Sequence, residues 1–289
     1  MRRILPACCA ALVLAAAAPA GAATTASAEG DLMPFGASAE PVAGQTVRVL
    51  EHPALTTTTD GNGHWRIDGI PVGTAATFAI DDGDRYPIQT ATFTMPADGL
   101  DRVTFQSPSY GVVSVLEGVI GAESIPGRCH IASTVTRQGY SLYGGAPDGT
   151  HGEPGATVTI DPQPPAGDGP IYFNGYSFDL IWPDRSLAET TADGGVLFAN
   201  VTPGTYTLRA HKAGAVIDEV VVGCRSGVLT NASPPWGLQV RSGGLGPDDT
   251  VPFPTQVTTT TTAATPTTTG MSSATVAPQA AAVTPTFAG

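Results

Sequence analysis

Two cysteines are the first residues in this sequence whose side chains could do chemistry. The chain has four cysteines, of which Cys8 and Cys9 lie in the N-terminal segment, so that Cys129 and Cys224 remain beyond it. If the chain is exported, an even pair predicts a disulfide bond between the first strand of the second half and a late strand. Two buried free thiols are the alternative. A zinc site would need further ligands, and His130 beside Cys129 would point to the opposite face of a strand.

Four aromatic residues could stack against a ligand, namely Trp236, Tyr172, Tyr176 and Trp182. A flat exposed ring buries the apolar face of a sugar while neighbouring groups hydrogen-bond its hydroxyls. Trp236 carries the most weight, because it follows two prolines in a polar and rigid context. The alternative is that these rings belong to a hydrophobic core, as most aromatic side chains of β-sandwiches do.

No other set of residues has the spacing of a catalytic or metal site. Tyr140, Tyr143, His130 and His151 are near one another in sequence but lack a His-x-His pair, so iron is not expected. The Gly-x-Ser-x-Gly elbow of serine hydrolases is also absent from the sequence. The acidic loop 60–63 lacks the ligand order of a calcium loop and fits a hairpin turn better. We therefore expect no catalytic residue, no metal, no cofactor and no enzymatic activity.

The first residues have the composition of a targeting segment. Arg2 and Arg3 form a positive start, residues 12–18 are the centre of an apolar run, and Ala20-Gly21-Ala22 has the small residues of a cleavage site. We predict a signal peptide over residues 1–22. The protein would then be secreted, extracellular or at the cell surface, or periplasmic if the host has an outer membrane. The apolar run is too short for a membrane span, and we expect none.

The charge of the chain argues against two classes of partner. The formal net charge is −12, and removal of Arg2 and Arg3 with the signal leaves 11 basic and 25 acidic residues, which gives −14. Nucleic acid and anionic membranes attract basic surfaces, so neither is expected as a partner. We expect cell-surface or extracellular proteins, or a polysaccharide, as partners.

Two similar segments indicate the fold. Residues 57–80 and 190–210 both have the pattern of strand, turn, strand, turn, strand. Asp60-Gly61 corresponds to Asp193-Gly194 at the first turn, and a proline–glycine turn follows in both segments. Apolar and polar residues alternate up to Ala210, which is typical of a half-buried antiparallel strand. The sequence therefore predicts an all-β protein.

The first half is expected to contain seven short strands, at residues 45–51, 54–59, 64–70, 75–81, 86–95, 101–107 and 111–119. A helical turn over residues 116–121 is the alternative for the end of the last one. Strands at this spacing indicate a β-sandwich. The expected regions are a signal peptide (1–22), a flexible leader (23–39), a first β-sandwich (40–121), a second β-sandwich (122–243) and a disordered Thr/Pro-rich tail (244–289).

The spacing of glycine, valine and turn residues resembles that of the carboxypeptidase regulatory-like domains. In the first copy the matching residues are Gly44, Val47, Val49, Asp60, Gly61, Gly63, Trp65, Ile67, Ile70, Pro71 and Gly73. In the second copy they are Gly155, Val158, Ile160, Asp193, Gly194, Phe198, Val201, Pro203, Gly204, Tyr206 and Leu208.

This resemblance implies two tandem transthyretin-like (prealbumin-like) seven-stranded sandwiches. In that family the module is usually an accessory domain for folding, spacing or binding, and no peptidase domain accompanies it here. The leading hypothesis is thus a secreted, non-enzymatic structural or adhesive protein, with a carbohydrate-binding module as the alternative.

Overall fold

The first half of the chain forms a series of short strands. The computed structural model describes residues 24–35, 41–81, 83–140, 151–175 and 182–246. Asp60 Oδ1 accepts hydrogen bonds from the backbone N–H groups of Asn62 (2.8 Å) and His64 (2.9 Å), which closes one predicted hairpin turn. The elements in order are β1 (Thr25–Pro34), β2 (Thr46–Val49), β3 (His52–Thr58), β4 (His64–Pro71), β5 (Ala75–Ile80), β6 (Ile88–Thr94), β7 (Phe105–Ser107) and helix α1 (Tyr110–Ile120).

These strands form two sheets that enclose a first core. In one sheet β1 lies between β4 and β7, and in the other the order is β6, β5, β2, β3. Side chains alternate along β4, so that Trp65 and Ile67 are buried while Arg66 between them is exposed. Trp65 packs against Phe78 and Phe105, with ring centroids 5.3 and 6.0 Å apart. The prediction of an all-β sandwich is confirmed.

The predicted flexible leader (23–39) is wrong for residues 25–34, which form β1. This strand pairs antiparallel with β4 and parallel with β7. Ala28 and Leu32 are fully buried in the first core, and the polar residues between them face outward, where Glu29 forms an ion pair with Arg66 (2.5 Å). The mixed composition of this segment is therefore the alternation of a half-buried strand. With β1 included, the first half has seven strands, β1 to β7.

The predicted strand over residues 111–119 is also wrong, because this segment is helix α1. Its valines favour a strand, but Ser109 caps the helix by accepting a hydrogen bond from the N–H of Val112 (3.2 Å). Gly121 ends it in the left-handed region, with φ of 66°. Ile120 then packs on the outer face of the sheet in the second half, beside Phe173.

The second half also has two facing sheets with a core between them. In the smaller sheet β13 lies between β9 and β15, and in the larger one the order includes β10, β12 and β8. Val158, Val196 and Leu208 are buried in this core. The elements are β8 (Cys129–Thr136), β9 (Thr157–Asp161), β10 (Asp168–Phe173), β11 (Pro183–Asp184), β12 (Gly195–Val201), β13 (Gly204–His211), β14 (Val216–Ile217), β15 (Val220–Cys224), β16 (Leu229–Asn231) and β17 (Leu238–Ser242).

The short strand β16 joins the two halves into one sheet. It pairs in parallel with β6 of the first half and with β8 of the second. The result is an eleven-stranded sheet that runs through both halves, and the described residues belong to one compact unit. The division into domains at residues 40–121 and 122–243 stays a prediction, since one sheet serves both cores.

The predicted disulfide bond between Cys129 and Cys224 is present. Cys129 begins β8 and Cys224 ends β15, and their Cα atoms are 5.9 Å apart. The bond therefore links the two sheets of the second half across its core, and it closes a loop with a sequence separation of 95 residues.

The two ends of the chain are not part of this description. The predicted signal peptide (1–22) and nearly all of the predicted tail (244–289) lie outside the described residues and stay predictions. Within the described ranges, no helix has the length and apolar character needed to cross a membrane.

Removal of the disulfide should lower the free energy of unfolding by roughly 4 kcal/mol, because a long loop in the unfolded chain loses its constraint. We expect this loss for the double variant Cys129→Ala/Cys224→Ala in urea unfolding followed by far-UV circular dichroism. The reduced wild-type protein is the control and should match the double variant. Equal stability of the oxidised and reduced wild-type protein would contradict the prediction.

Strand β1 should be essential for stability. Leu32 is fully buried and its neighbour Met33 is 37% exposed, so Leu32→Ala should destabilise the protein by about 3 kcal/mol and Met33→Ala by much less. Thermal unfolding of the two variants measures the difference. Equal effects would mean that β1 does not pack on the first core in solution.

Candidate functional site

One concave surface of the described residues is a groove that we call the Trp236 groove. It has a volume of about 440 Å³ and is bounded by residues 91–94 of β6 on one side and by residues 218–221 at the start of β15 on the other. Ala232 and residues 234–237, which connect β16 to β17, also line the groove, and we call this largely apolar segment its floor. The groove thus combines residues from both halves of the chain.

The groove exists because β16 is shorter than its neighbour. β6 has seven residues, but β16 pairs with only its first three, Ile88, Gln89 and Thr90. Beyond this point β5 still pairs with one edge of β6, whereas the other edge has no strand partner among the described residues. β15 is likewise the edge strand of its sheet and pairs with β13 alone.

The side chain of Trp236 is partly exposed in this groove and its backbone is firmly held. The Thr136 hydroxyl donates a hydrogen bond to the carbonyl oxygen of Trp236. The Pro234-Pro235 peptide bond before it is cis, and Gly237 after it has φ of 64°, a conformation that favours glycine. The guanidinium of Arg102 lies 5.4 Å from the centre of the indole ring. Trp236 therefore offers a partly exposed aromatic ring with a cation on one side.

Carboxylates line one rim of the groove, and each has an arginine partner. Asp218 forms an ion pair with Arg241 (2.5 Å). Glu219 accepts a hydrogen bond from Arg209 Nε (3.0 Å), while Nη1 of the same guanidinium donates to Asp161 (2.7 Å). The hydrogen bonds to Asp161 and Glu219 raise the pKa of Arg209. These charges are exposed to solvent and form a polar margin beside the apolar floor.

Of the other predicted aromatic residues, the two that the structure describes do not join Trp236. Tyr172 is 2% exposed and belongs to the second core, where its hydroxyl accepts a hydrogen bond from the N–H of Val158 (2.9 Å). A ring buried in this way has no free face, so the suggestion that Tyr172 stacks on a ligand is corrected. Trp182 is partly buried, and its backbone N–H donates a hydrogen bond to Asn174 Oδ1 (3.0 Å). Trp182 does not line the groove. Tyr176 lies outside the described residues.

His130 and Ser124 are in contact but are not arranged as a base and a nucleophile. His130 Nε2 is 3.0 Å from Ser124 Oγ, and Nδ1 accepts a hydrogen bond from the backbone N–H of Asn200 (3.3 Å). In a neutral ring whose Nδ1 accepts, Nε2 carries the proton and donates to Ser124. Burial lowers the pKa of His130 and favours this neutral ring. The tautomer cannot take a proton from Ser124 as a general base would.

The single lysine side chain is also engaged in contacts that stabilise the fold. Lys212 is the only lysine of the sequence, and its Nζ forms an ion pair with the fully buried carboxylate of Glu153. Lys212 Nζ also donates to the carbonyl oxygen of Pro154 (2.8 Å), and Glu153 Oε2 accepts a hydrogen bond from the N–H of Leu245 (3.0 Å). This cluster fastens the chain after β17 to the end of β13.

Asp193 is a buried titratable side chain whose acidity is strongly changed by its surroundings. Its carboxylate lies in the turn before β12, where Oδ2 accepts a hydrogen bond from the N–H of Gly195 (3.0 Å). Burial raises the pKa of Asp193 to about 7. His151 Nε2 is 3.9 Å from Asp193 Oδ1, which is beyond hydrogen-bond distance. The turn explains the position of this carboxylate without any catalytic role.

No group of three or more His, Cys, Asp or Glu residues could hold a metal ion in the part of the chain that the structure describes. Asp60, considered as a calcium ligand, uses its carboxylate to close a turn, and its hydrogen bonds with His64 and Asn62 lower its pKa. His151 and Tyr140 are described, whereas Tyr143 lies outside the described residues.

Comparisons with known proteins give only distant likenesses. No family model matches the sequence, and no curated protein matches it. Among solved structures the chain is similar to the Bacillus anthracis TIE protein, with a TM-score of 0.24 and 13% identity over 72% of this chain and 34% of that chain. It is also similar to a streptococcal ancillary pilin, with a TM-score of 0.20 and 12% identity over 73% of this chain and 63% of that one.

A third likeness is to the shaft pilin SpaA from Lactobacillus rhamnosus GG. Its TM-score is 0.22, with 11% identity over 75% of this chain and 97% of that chain. The chain spans about a third of the Bacillus protein and less than two thirds of the streptococcal pilin. Similarity at this level does not say what this chain binds.

Sequence reasoning selected Trp236 but missed the strand edges around it. The predicted strand over residues 86–95 contains Phe93 and agrees with β6. Nothing in this pattern shows where a neighbouring strand ends. The one available signal was the Pro-Pro-Trp-Gly segment, which marks a forced bend after β16.

The buried carboxylate of Asp193 should make stability depend on pH. Its pKa is about 7 in the folded protein and about 3.9 in an unfolded chain. Between these values the folded state binds more protons, so the contribution of Asp193 to stability falls as pH rises from about 4 to about 7. Asp193→Asn keeps an oxygen acceptor for the turn and does not titrate.

We therefore expect the melting temperature of Asp193→Asn, relative to that of the wild type, to increase from pH 5 to pH 8. The difference between the two proteins cancels His130, whose lowered pKa acts in the opposite direction below about pH 6.5. A difference that does not change with pH would show that Asp193 ionises normally.

Proposed function

We propose that this protein is a secreted or cell-surface, non-enzymatic adhesive or structural protein built of carboxypeptidase regulatory-like β-sandwiches, and that the Trp236 groove is its binding surface. The observation that carries the proposal is the groove itself. Two strand edges without strand partners, among the described residues, face each other across an apolar floor that contains Trp236. Surfaces of this kind are typical of binding sites for macromolecules.

The state of the reactive side chains supports a role in binding. Ser124 faces a protonated ring nitrogen of His130, Lys212 is paired with Glu153, and Cys129 is oxidised in a disulfide. Each of these groups is used to hold the fold together. The two carboxylates at the margin of the groove form ion pairs with Arg209 and Arg241, and Arg102 lies over the ring of Trp236.

Two observations support an extracellular location. The disulfide between Cys129 and Cys224 is the kind of bond that persists in an oxidising compartment. The sequence of residues 1–22 has the three regions of an export signal. Partners would then be cell-surface or extracellular molecules, and neither nucleic acid nor an anionic membrane suits a chain of net charge −12.

A carbohydrate-binding module is a second candidate, and one observation favours it. Trp236 offers a partly exposed ring in the groove, close to the hydroxyl-bearing residues Thr92 and Thr94. This pairing of an aromatic surface with hydroxyls is suited to a sugar ring. Tyr172 adds nothing to such a site, because it is buried in the second core.

Retention on immobilised ligands separates the two candidates. The mature protein is passed over surfaces coated with extracellular proteins from the producing organism, and over insoluble polysaccharides. We expect retention on the protein surface, with a loss of at least tenfold for Trp236→Ala and little change for Trp182→Ala, the matched control outside the groove. Retention on polysaccharide that depends on Trp236 would favour the second candidate. Retention that is indifferent to Trp236 would contradict the groove as the binding surface.

A further inference from the structure

We propose that the Trp236 groove binds an extended basic peptide strand, which adds to the open edge of β6 at residues 91–94. This inference rests on the proposed function and names the class of partner. Addition of a strand to a sheet edge uses backbone hydrogen bonds for affinity and alternate side-chain pockets for specificity.

The lining of the groove shows that a strand edge faces it. Four consecutive residues of β6, numbers 91–94, all contribute to the lining. Successive side chains of a strand point to opposite faces of the sheet, so side chains alone could not place four neighbours in one groove. The side chain of Thr92 in fact contacts Thr77 on one face (2.7 Å), while Phe93 packs against both cores. The backbone edge between these faces is therefore what the groove exposes.

The pairing pattern shows which place in the sheet is open. β16 occupies the position beside β6 from Ile88 to Thr90 and ends at Asn231. Its continuation, β17, pairs with β8 and β14 and not with β6. The strand position that β16 leaves beside residues 91–94 is the position that a peptide would fill.

Other free edges in the described part of the sheet lack such a site. β3 ends the eleven-stranded sheet, but Pro53 within it has no N–H to donate to an added strand. β11 ends the sheet on the other side and has only two residues. The edge of β6 is the one that has an apolar floor, with Trp236 and Pro235 below it and Val221, which is 47% exposed, across from it.

The charges favour a basic peptide with alternating apolar residues. Asp218 and Glu219 lie on the rim beside the groove and, together with Asp161, are paired with only two guanidiniums, those of Arg209 and Arg241, so the three carboxylates leave one excess negative charge there. The chain as a whole carries a net charge of −12. Side chains of a bound strand would alternate between the apolar floor and the rim. Apolar residues at every second position would reach Trp236, and lysine or arginine between them would approach the carboxylates.

The test uses the mature full-length protein and a blocked heptapeptide, acetyl-Lys-Val-Lys-Val-Lys-Val-Lys-amide. Binding is measured by titration calorimetry and by the fluorescence of the protein's tryptophans. We expect binding that weakens at least tenfold when the central valine is replaced by proline, which removes a backbone donor and disfavours a strand. A peptide with glutamate in place of every lysine should bind at least tenfold more weakly as well.

Hydrogen exchange distinguishes strand addition from simple charge attraction. The lysine–valine peptide should slow amide exchange within residues 91–94, because backbone N–H groups at the open edge gain acceptors. Val221→Arg should weaken binding at least tenfold by filling the groove. Val115→Arg is the matched control, since it adds the same charge at a valine that is 52% exposed on helix α1 and outside the groove.

The outcomes separate this inference from the proposed function. Binding without protection at residues 91–94, or equal effects of Val221→Arg and Val115→Arg, would overturn strand addition. If partner retention still depends on Trp236 in that case, the proposed function stands and only the class of ligand is wrong. Equal binding of the glutamate peptide would overturn the preference for a basic partner.

Discussion

The structure depends on a three-residue strand that pairs on both sides. Strand β16 (Leu229–Asn231) pairs in parallel with β6 on one side and with β8 on the other. This double pairing joins a sheet of the first half and a sheet of the second half into one continuous sheet. Parallel neighbours need long connections between them, and the connection from β8 to β16 contains the strands β9 to β15, most of the second half. Cys224 is the last residue of β15 and lies five residues before Leu229, the first residue of β16. The disulfide therefore restrains the chain just before it enters β16. Side-chain bonds from Gln89 and Thr230 to the carbonyl oxygen of Gly223 hold the same junction.

The groove is a consequence of that same short strand. A longer β16 would cover the whole edge of β6, whereas β16 ends at Asn231 and the next strand, β17, pairs with β8 instead. Phe93 lies where the two cores approach each other and packs against both. The interaction surface and the joint between the halves are thus one feature, and a partner bound there would contact residues from both.

The charged side chains of the described residues mostly support the scaffold. Arg225 reaches across the junction to Gln89 and Asp81, and Arg48 contacts the same aspartate from the first half. These partly buried groups link β2 and the end of β5 to the chain that follows β15. The buried pair of Lys212 and Glu153 is of another kind, because loss of either partner would leave a charge uncompensated in the interior.

The sequence by itself determined the local structure. Turns at Asp60-Gly61 and Asp193-Gly194, the alternation along β4 and β13, and the pairing of Cys129 with Cys224 follow from residue types and short spacings. The sequence-based prediction was wrong where a short segment fits two conformations. The valines of α1 favour a strand until the cap at Ser109 is taken into account. In β1 the polar residues between the buried ones make the strand resemble a loop. Tertiary structure alone decided that β16 joins the halves, that Tyr172 is buried and Trp236 is not, and that β6 keeps an open edge. These are contacts between residues far apart in the chain, and periodicity within one segment carries no information about the length of its neighbour.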